Sequence, residues 1–418
     1  MSDLDAVVHG ANEVVTVDDE GELGIYEDAA VAVVDGEVAR VGPSGPVKRE
    51  FPPANADHDV DADGAAVVPG FVDPHTHALF AGDRSDEFEA KLQGATYQEL
   101  LEEGGGILRT VRATRNASDG TLLDNLLSHL DVMLAHGTTT VEVKSGYGLD
   151  TETELRMLDV MARADEVHPV DVVPTFMGAH AVPEGREADD YVDEVVDEQL
   201  PAVADQDIAE FCDVFCEEGV FDVEQSRRVL EAGEAVGLKP KVHAEELAHL
   251  GGTQLAAGMG ATSADHLLHA TEEDVAAVAG TGVSPVLLPG TAFSLGADYA
   301  DARAFLDAGA PVAVATDFNP NCYSQSMGFA QSLACVEMGM TPAEALVAAT
   351  RNAALAVDRR DGTGTLREGT PGDLAVLDAL TYVHVPYNFG VNAVDTVLKG
   401  GEVVAREGAA AHDEGVRA

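Results

Sequence analysis

The sequence is poor in basic residues. Only 24 lysines and arginines face 75 acidic residues, the formal net charge is −51, and six lysines occur in 418 residues. Nucleic acids and anionic membranes repel such a polyanion, so the composition argues against both as partners. The acidic excess is spread along the chain, which is typical of a folded protein in high salt, where self-repulsion is screened. We therefore expect a halophilic protein.

Cysteines and long apolar runs are also scarce. The four cysteines are too few and too scattered for a disulfide framework in a chain of this length. The spacing of Cys212 and Cys216 is compatible with a metal, but the alternation of residues 211–216 favours packed strand residues. No run approaches the length of a membrane span, and residues 1–5 lack the features of a signal peptide. We expect a cytoplasmic protein.

The chain divides into a long middle and two β-rich ends. Residues 4–68 contain short alternating segments with Asp35-Gly36 as a hairpin turn, and residues 365–406 repeat that character around Gly400-Gly401. Two short β-rich ends around a long α/β middle are expected to pair with each other. This pairing predicts one small β-sandwich domain that is discontinuous in sequence.

In the middle, strand-like runs alternate with helical patterns, as parallel βα units require. One helix candidate, residues 151–164, opens with the capping-box pattern Thr151-x-x-Glu154, and residues 187–200 form another amphipathic candidate. The eight strand candidates are residues 67–73, 138–144, 170–175, 208–216, 240–243, 262–266, 283–288 and 312–317. Eight such units predict a TIM-like (β/α)8 barrel. The predicted domains are residues 1–66 and 365–418 for the sandwich and residues 67–364 for the barrel.

Two histidines one residue apart end the first of these runs. In an extended segment His75 and His77 point to the same side and can hold one metal ion together. His243, His266 and Asp317 end three later strands, and strand carboxyl ends converge on one site in a barrel. Unrelated surface or core histidines are the alternative for a lone His-x-His, but four such strand ends favour a shared site.

Three imidazoles and one carboxylate form a set of nitrogen and oxygen ligands. This set, made of His75, His77, His243 and Asp317, suits Zn or Fe and leaves a position for water. Such an ion lowers the pKa of bound water from 15.7 toward about 7, so hydroxide becomes available at neutral pH. The pattern predicts metal-dependent hydrolysis.

The middle of the chain contains a series of short motifs. They are Pro69–His77, Glu89–Tyr97, Gly104–Ile107, Thr110–Arg115, Glu142–Leu149, Phe176–His180, His243–Glu246, Ala264–His266 and Ala315–Pro320. These motifs resemble those of the imidazolonepropionase family, amidohydrolases that act in histidine degradation. The segments Lys-Ser-Gly-Tyr-Gly-Leu and Leu-Gln-Gly-Ala-Thr-Tyr discriminate this family, since many hydrolases share the other motifs. The resemblance implies hydrolysis of 4-imidazolone-5-propanoate to N-formimidoyl-L-glutamate by a homodimer.

The resemblance also bears on the number of metals. Binuclear amidohydrolases usually bridge their two metals with a carbamylated lysine on the fourth strand. The predicted fourth strand, residues 208–216, contains no lysine, so we expect one metal ion per chain, Zn or Fe. Lys144, at the second strand, is the alternative bridge.

The same resemblance implies three catalytic residues. It assigns Glu246 to substrate and water and His266 to proton handling. Asp317 is a metal ligand that could also accept the proton of the water. Taken alone, Glu246 would be interpreted as an exposed carboxylate at a helix start, and the resemblance overturns this interpretation. Which of the three is the general base stays open.

A propionate substrate requires a cation. The Arg84 guanidinium can grip a carboxylate in bidentate fashion, although a surface ion pair with Asp83 or Asp86 is the alternative. His180 taken alone reads equally as a core histidine. The resemblance adds to the substrate pocket Tyr147, His180, Glu246 and Asn319.

The chain departs from the family pattern after Asp-Phe-Asn-Pro, where the family continues with Gly and then Ser or Thr. Here Asn321 and Cys322 follow. Backbone groups that hold a carboxylate there survive the change, but Cys322 offers no hydroxyl. Both residues are included among the substrate contacts on this basis.

Two other functions are compatible with the barrel pattern. One is a cyclic deaminase or amidohydrolase acting on a cytosine-like or guanine-like ring, which has no propionate and no need of Arg84. The other is a catalytically inactive scaffold. Such scaffolds typically lose metal ligands, and all four are present here.

Overall fold

The computed structural model describes residues 4–94 and 105–411. Its strands are β1 (Leu4–Val17), β2 (Leu23–Val34), β3 (Glu37–Pro43), β4 (His58–Asp61), β5 (Ala66–Pro69), β6 (Phe71–Asp73), β7 (Thr138–Lys144), β8 (Asp171–Ala179), β9 (Phe211–Cys216), β10 (Lys239–Ala244), β11 (Ser263–His266), β12 (Ser284–Leu287), β13 (Ala313–Val314), β14 (Leu374–Leu377), β15 (Val394–Lys399), β16 (Glu402–Arg406) and β17 (Ala409–Ala410).

The α-helices span Ser44–Glu50, Ser85–Leu92, Ile107–Asn116, Asp119–Ala135, Thr151–Val167, Ala188–Glu194, Leu200–Gln206, Val223–Ala235, Gly252–Met259, Glu272–Val278, Pro289–Leu295, Ala302–Asp307, Met327–Glu337, Pro342–Ala348, Arg351–Ala356 and His384–Tyr387. A 3-10 turn covers Pro53–Asn55, and a π-helical turn covers Val195–Gln199. None of these helices is long and apolar enough to cross a membrane.

The two chain ends share one mixed sheet. Its order is β17-β16-β15-β14-β5-β1-β2-β3, with β4 paired to β1, and the ends meet where β14 runs antiparallel to β5. The two predicted turns are confirmed as two-residue connections with positive φ at both positions, Asp35-Gly36 and Gly400-Gly401. Such turns match the twist of the strands they join.

The prediction of an eight-stranded parallel barrel is confirmed, and its strands follow chain order from β6 to β13. The segments after its first and last strands close the barrel through a parallel bridge between Thr76 and Phe318. Asp73 reinforces this closure, because its carboxylate accepts hydrogen bonds from the backbone N–H and the hydroxyl of Thr316, at 3.1 and 2.5 Å. The carboxyl ends of all eight strands therefore lie at one rim.

The prediction of a single strand over residues 67–73 is wrong. Ala66–Pro69 forms β5 of the mixed sheet, whereas Phe71–Asp73 forms β6 of the barrel. Gly70 lies between them, where an added Cβ would come within 2.4 Å of Thr139 Oγ1. A continuous apolar run indicates a buried strand but carries no signal for a change of sheet.

The predicted capping box of the helix Thr151–Val167 is also wrong. Asp150 is its N-cap and accepts from Thr153 N–H at 2.8 Å. Glu154 instead turns toward the preceding loop and accepts backbone N–H groups of Gly146, Gly148 and Leu149 at 2.8–2.9 Å. These loop donors are buried and need an acceptor, which local sequence spacing does not reveal.

Candidate metal centre and active site

Three histidines meet at the carboxyl rim of the barrel. His75 and His77 follow β6 and His243 lies in β10; all three are buried, and one ring nitrogen of each lies within 4.8 Å of the others. His77 Nε2 is 3.4 Å from His243 Nε2. Asp317, just after β13, brings Oδ1 to 3.6 Å from His75 Nε2 and 3.7 Å from His77 Nε2. The four predicted ligands thus lie around one point.

The chemistry of this cluster fits a metal ion. Among the residues that the structure describes, buried His75 Nε2 has no hydrogen-bond partner, although an unpaired buried nitrogen is costly. Burial holds the pKa of His75 and His77 well below the usual range, so both rings are neutral and offer lone pairs. Neutral imidazoles with one carboxylate suit a first-row divalent ion such as zinc or iron.

Asp317 is held in a strained position. Its φ of 50° lies in the left-handed region that an aspartate adopts at a cost, and such strain concentrates at functional sites. Thr291 donates its hydroxyl hydrogen to Asp317 Oδ2, which leaves Oδ1 facing the histidines. Burial raises the pKa of Asp317 to about 6.

Glu246 and His266 face the same cavity. Glu246 Oε2 lies 3.7 Å from His266 Nε2, and its side chain is only 14% exposed, so the exposed position considered from sequence is not found. Burial, with a contribution from Asp317, raises the pKa of Glu246 to about 8. Burial lowers the pKa of His266 well below its usual range. A neutral imidazole therefore lies beside a carboxyl group that holds its proton at neutral pH.

His180 and Tyr147 line the wall next to the histidine cluster. The His180 ring stacks on His77, with centroids 4.8 Å apart and planes 16° apart, and Tyr147 lies 5.4 Å from His180. His180 Nδ1 bonds the carbonyl oxygen of Gly146 at 3.0 Å, and burial lowers the pKa of His180 to about 3. His180 thus lies in the site rather than in a remote core.

Arg84 has a different partner from those considered. Its Nε and Nη2 both lie 2.9 Å from Glu87 Oε2, whereas Asp86 pairs with Arg109. The Arg84 and Glu87 side chains are both nearly buried, at 9% and 4% exposed. Nη1 of Arg84 takes no part in this pair.

Asn319 organises the loop that carries the two departures from the family pattern. Its Oδ1 accepts the backbone N–H groups of Asn321 and Cys322 at 2.7 and 3.0 Å, and its Nδ2 donates to the Asp317 carbonyl. The Cys322 thiol is buried against the Thr316 carbonyl, and Asn321 Oδ1 accepts from Lys91. The backbone donors expected for a substrate carboxylate therefore contact Asn319 in this conformation.

Part of the discriminating sequence lies outside the described residues. Ala95, Thr96 and Tyr97 of the Leu-Gln-Gly-Ala-Thr-Tyr segment, and Gly104 of the glycine run, belong to this part.

Sequence reasoning gave no role to several buried residues around the site. Asp265 Oδ2 lies 2.6 Å from His75 Nδ1, and Asp213 Oδ2 lies 3.1 Å from His243 Nδ1. Thr291, described above, holds Asp317. The two aspartates did carry a signal, since each interrupts an otherwise buried strand and a buried carboxylate needs a partner. Thr291 carried no such signal in the sequence, because threonines are common throughout the chain and most of them have no catalytic role.

Comparisons with known proteins agree with this geometry. The family described as "Amidohydrolase family" matches residues 66–404. An adenosine deaminase structure from Xanthomonas campestris with bound zinc superimposes with a TM-score of 0.75 at 20% identity, over 98% of this chain and 95% of that one. A triazine hydrolase variant superimposes with a TM-score of 0.76 at 17% identity, over 97% and 95%. Barrel and histidine cluster together define a metal-dependent hydrolase of the amidohydrolase class.

Sequence relatives identify one family within the amidohydrolase class. The chain is 72% identical to an imidazolonepropionase of Haloarcula marismortui over 97% of both chains. It is 64% identical to one of Halobacterium salinarum, over 98% of this chain and all of that one. One of Geobacillus kaustophilus is 49% identical over 93% and 92%. The chain therefore belongs to the imidazolonepropionase family.

Proposed function

We propose that this chain hydrolyses the cyclic amide 4-imidazolone-5-propanoate to N-formimidoyl-L-glutamate in histidine degradation. The observation that carries the proposal is the cluster of His75, His77, His243 and Asp317 at one barrel rim, in a chain 72% identical to an imidazolonepropionase. The solved structures at 17–20% identity support the fold alone and do not favour a deaminase.

One metal ion per chain, Zn or Fe, would be held by the four clustered ligands. When bound, it supplies a water molecule whose pKa is lowered from 15.7 toward about 7. Single occupancy is supported by Lys144, the alternative bridge. Its ammonium already contacts Glu142 and Asp213, at 2.8 and 2.7 Å, rather than facing the histidines.

The chain's own residues then carry out the proton transfers. Water adds to the ring carbonyl carbon, the ring C–N bond breaks, and a proton must pass from the water to the departing nitrogen. We assign His266 to donate a hydrogen bond to the carbonyl oxygen as negative charge develops there. Asp317 takes the proton from water. Glu246, whose raised pKa keeps it protonated at neutral pH, delivers a proton to the ring nitrogen.

Substrate binding is proposed for Arg84, Tyr147, His180, Glu246 and the loop containing Asn319, Asn321 and Cys322. Arg84 would bind the propionate through Nη1, which takes no part in the pair with Glu87. Tyr147 and His180 would contact the planar ring. The Asn321 and Cys322 backbone donors reach the propionate only if they leave Asn319.

Three further expectations are part of the proposal. We place the boundary between the mixed sheet and the barrel at Gly70, which modifies the predicted divisions of 1–66, 67–364 and 365–418.

We propose a homodimer, which analytical ultracentrifugation in high salt would test. We also propose a cytoplasmic location, consistent with a soluble metabolic role.

The direct test measures metal and product together in high salt. One Zn or Fe per chain, with formimidoylglutamate formed from fresh imidazolonepropionate, is expected. H77Q should lose metal and turnover, whereas H58Q, which changes a histidine of the mixed sheet paired with Glu402, should keep both. Metal without turnover would indicate another cyclic amide or amidine. The absence of both bound metal and turnover would overturn the proposal.

A further inference from the structure

Below the metal site, the barrel interior holds an unusual group of charges. Barrel interiors are generally filled by branched apolar side chains, and a buried ion pair seldom adds stability over an apolar replacement. Here the interior instead contains five fully buried ionisable residues from four strands, namely Glu142, Lys144, Asp213, Lys241 and Asp265. Their presence points to a role other than holding the fold together.

Lys144 is the centre of this group. Its Nζ lies 2.8 Å from Glu142 Oε2, 2.7 Å from Asp213 Oδ2 and 3.7 Å from Asp265 Oδ2. An ammonium has three hydrogens and no acceptor; Lys144 donates to Glu142 and Asp213, and Asp265 lies within ion-pair distance. Lys144 thus contacts carboxylates from β7, β9 and β11 at once.

Two of these carboxylates contact metal ligands. Asp265 Oδ2 lies 2.6 Å from His75 Nδ1, and Asp213 Oδ2 lies 3.1 Å from His243 Nδ1. The Asp265–His75 contact is a hydrogen bond, whereas Asp213 lies beside His243 Nδ1 at ion-pair distance. A carboxylate next to one ring nitrogen favours the proton on that nitrogen, which leaves the other nitrogen with its lone pair. In both rings that other nitrogen, Nε2, faces the proposed metal position.

Lys241 contacts the same group of buried charges and the backbone before His75. Its Nζ lies 3.2 Å from Glu142 Oε1 and donates to the carbonyl oxygen of Pro74 at 3.1 Å. Pro74 directly precedes His75. The second lysine therefore connects the buried charges to the backbone that carries the first ligand.

We propose that Lys144 is a positioning residue for the metal site, which holds Asp213 and Asp265 so that they orient His243 and His75. The inference rests on the metal site proposed above. Without the ammonium, two like charges would face each other in a medium of low dielectric, repel, and turn away from the rings they orient. Ligand geometry would loosen while all four ligands remain in the chain.

The test compares two lysines that each contact more than one carboxylate, three for Lys144 and two for Lys399. K144M removes the proposed positioning residue. K399M is the matched control, since Lys399 Nζ lies 2.6 Å from Asp373 and 2.5 Å from Asp171, away from the histidines. Co²⁺ affinity is measured on the chelator-treated full chain in high salt, by competition with a chromogenic chelator. The visible Co²⁺ absorption bands and the melting temperature of the metal-free chain are recorded in parallel.

K144M should bind Co²⁺ at least about 10-fold more weakly and with altered absorption bands, as is typical when a second layer of ligand support is lost. K399M should lower the melting temperature with an affinity within about two-fold of wild type and unchanged bands. A K144M chain that melts earlier yet binds Co²⁺ like wild type would show a purely structural lysine and overturn the inference.

If K144M does not fold, D213N and D265N take its place, since each keeps the side-chain shape and the lysine. Each should lose about 10-fold in Co²⁺ affinity. Unchanged affinity in both would overturn the inference. A wild-type chain that binds no Co²⁺, Zn²⁺ or Fe²⁺ would instead contradict the proposed function, so the two failures are distinguishable.

Discussion

The pKa values of single residues in the site depend on burial more than on residue type. Burial raises the pKa of Glu246 to about 8 and of Asp317 to about 6, and it lowers that of His180 to about 3. Near neutral pH, Glu246 is thereby kept protonated and His180 neutral, whereas Asp317 is mostly ionised and can accept a proton. This arrangement suits proton transfer during hydrolysis, which needs donors and acceptors of similar strength.

Arg84 offers a test of substrate recognition. R84Q should raise KM for imidazolonepropionate at least about 10-fold with kcat changed only a few-fold, because a charge-assisted hydrogen bond contributes about 1.5–3 kcal/mol to binding. Steady-state kinetics would measure both constants.

R109Q is the control for Arg84, because Arg109 contacts Asp86 and, at 3.7 Å, Glu87 from a more exposed position. It should leave KM unchanged. An R84Q enzyme with wild-type KM would instead favour a ring substrate without a carboxylate.

Glu246 offers a test of its raised pKa in the metal-free chain. The folded state holds the proton up to about pH 8, whereas the usual value is 4.5, so the wild type loses stability as pH rises between these values. E246Q cannot ionise, and above pH 8 it should therefore exceed the wild type in stability by about 1.4 kcal/mol or more.

Denaturant unfolding at pH 5 and pH 8.5, in high salt, would measure this difference. E231Q, which changes an exposed carboxylate on the helix Val223–Ala235, should show none. Equal pH dependence in E246Q and wild type would mean that Glu246 ionises normally.

Among the elements, the loop between β7 and the helix Thr151–Val167 is held in its conformation by one carboxylate. Glu154 accepts three loop N–H groups and so sets the position of Tyr147 against His77 and His180. The helix thus supports the site through its first turn rather than through its buried face.

E154Q tests this support. An amide presents hydrogens to donors that need an acceptor, so stability should fall by about 1–3 kcal/mol. Activity should fall at least about 10-fold through misplacement of Tyr147, since small displacements in a site are costly. Thermal melts and kcat/KM would measure both.

E344Q is the control at the level of elements, because Glu344 caps the helix Pro342–Ala348 through Thr341. It should lower stability without lowering kcat/KM. An E154Q enzyme with full activity would show that the loop keeps its shape without this carboxylate.

For the whole molecule, the net charge of −51 dominates the response to solvent. The screening length falls from about 10 Å at 0.1 M salt to about 3 Å at 1 M, so repulsion among surface carboxylates weakens steeply. The halophilic relatives at 64–72% identity agree with this interpretation of the composition.

The melting temperature should therefore rise by about 10 °C or more between 0.1 M and 3 M KCl, with activity rising in parallel. Differential scanning fluorimetry and product assays would record both. Sucrose at equal osmolality separates screening from solvent exclusion. An equal rise in sucrose, or full folding and activity at 0.1 M KCl, would contradict charge screening as the cause.

The amino-acid sequence by itself indicated the eight-stranded barrel, the pairing of the chain ends and the four candidate ligands that cluster at one rim. Each of these follows from local patterns, such as apolar runs, turn dipeptides and histidines at strand ends. The His-x-His pair of His75 and His77 was readable because strand geometry alone puts both side chains on one side.

Only the tertiary structure decided the rest. The change of sheet at Gly70, the turning of Glu154 into the loop, and the partners Glu87 and Asn319 all depend on atoms distant in sequence or on competing acceptors. The contacts of Lys144 with Asp213 and Asp265 are of the same kind. The physical reason is that a buried polar group takes whichever partner the fold brings within reach, and residue spacing does not encode that choice.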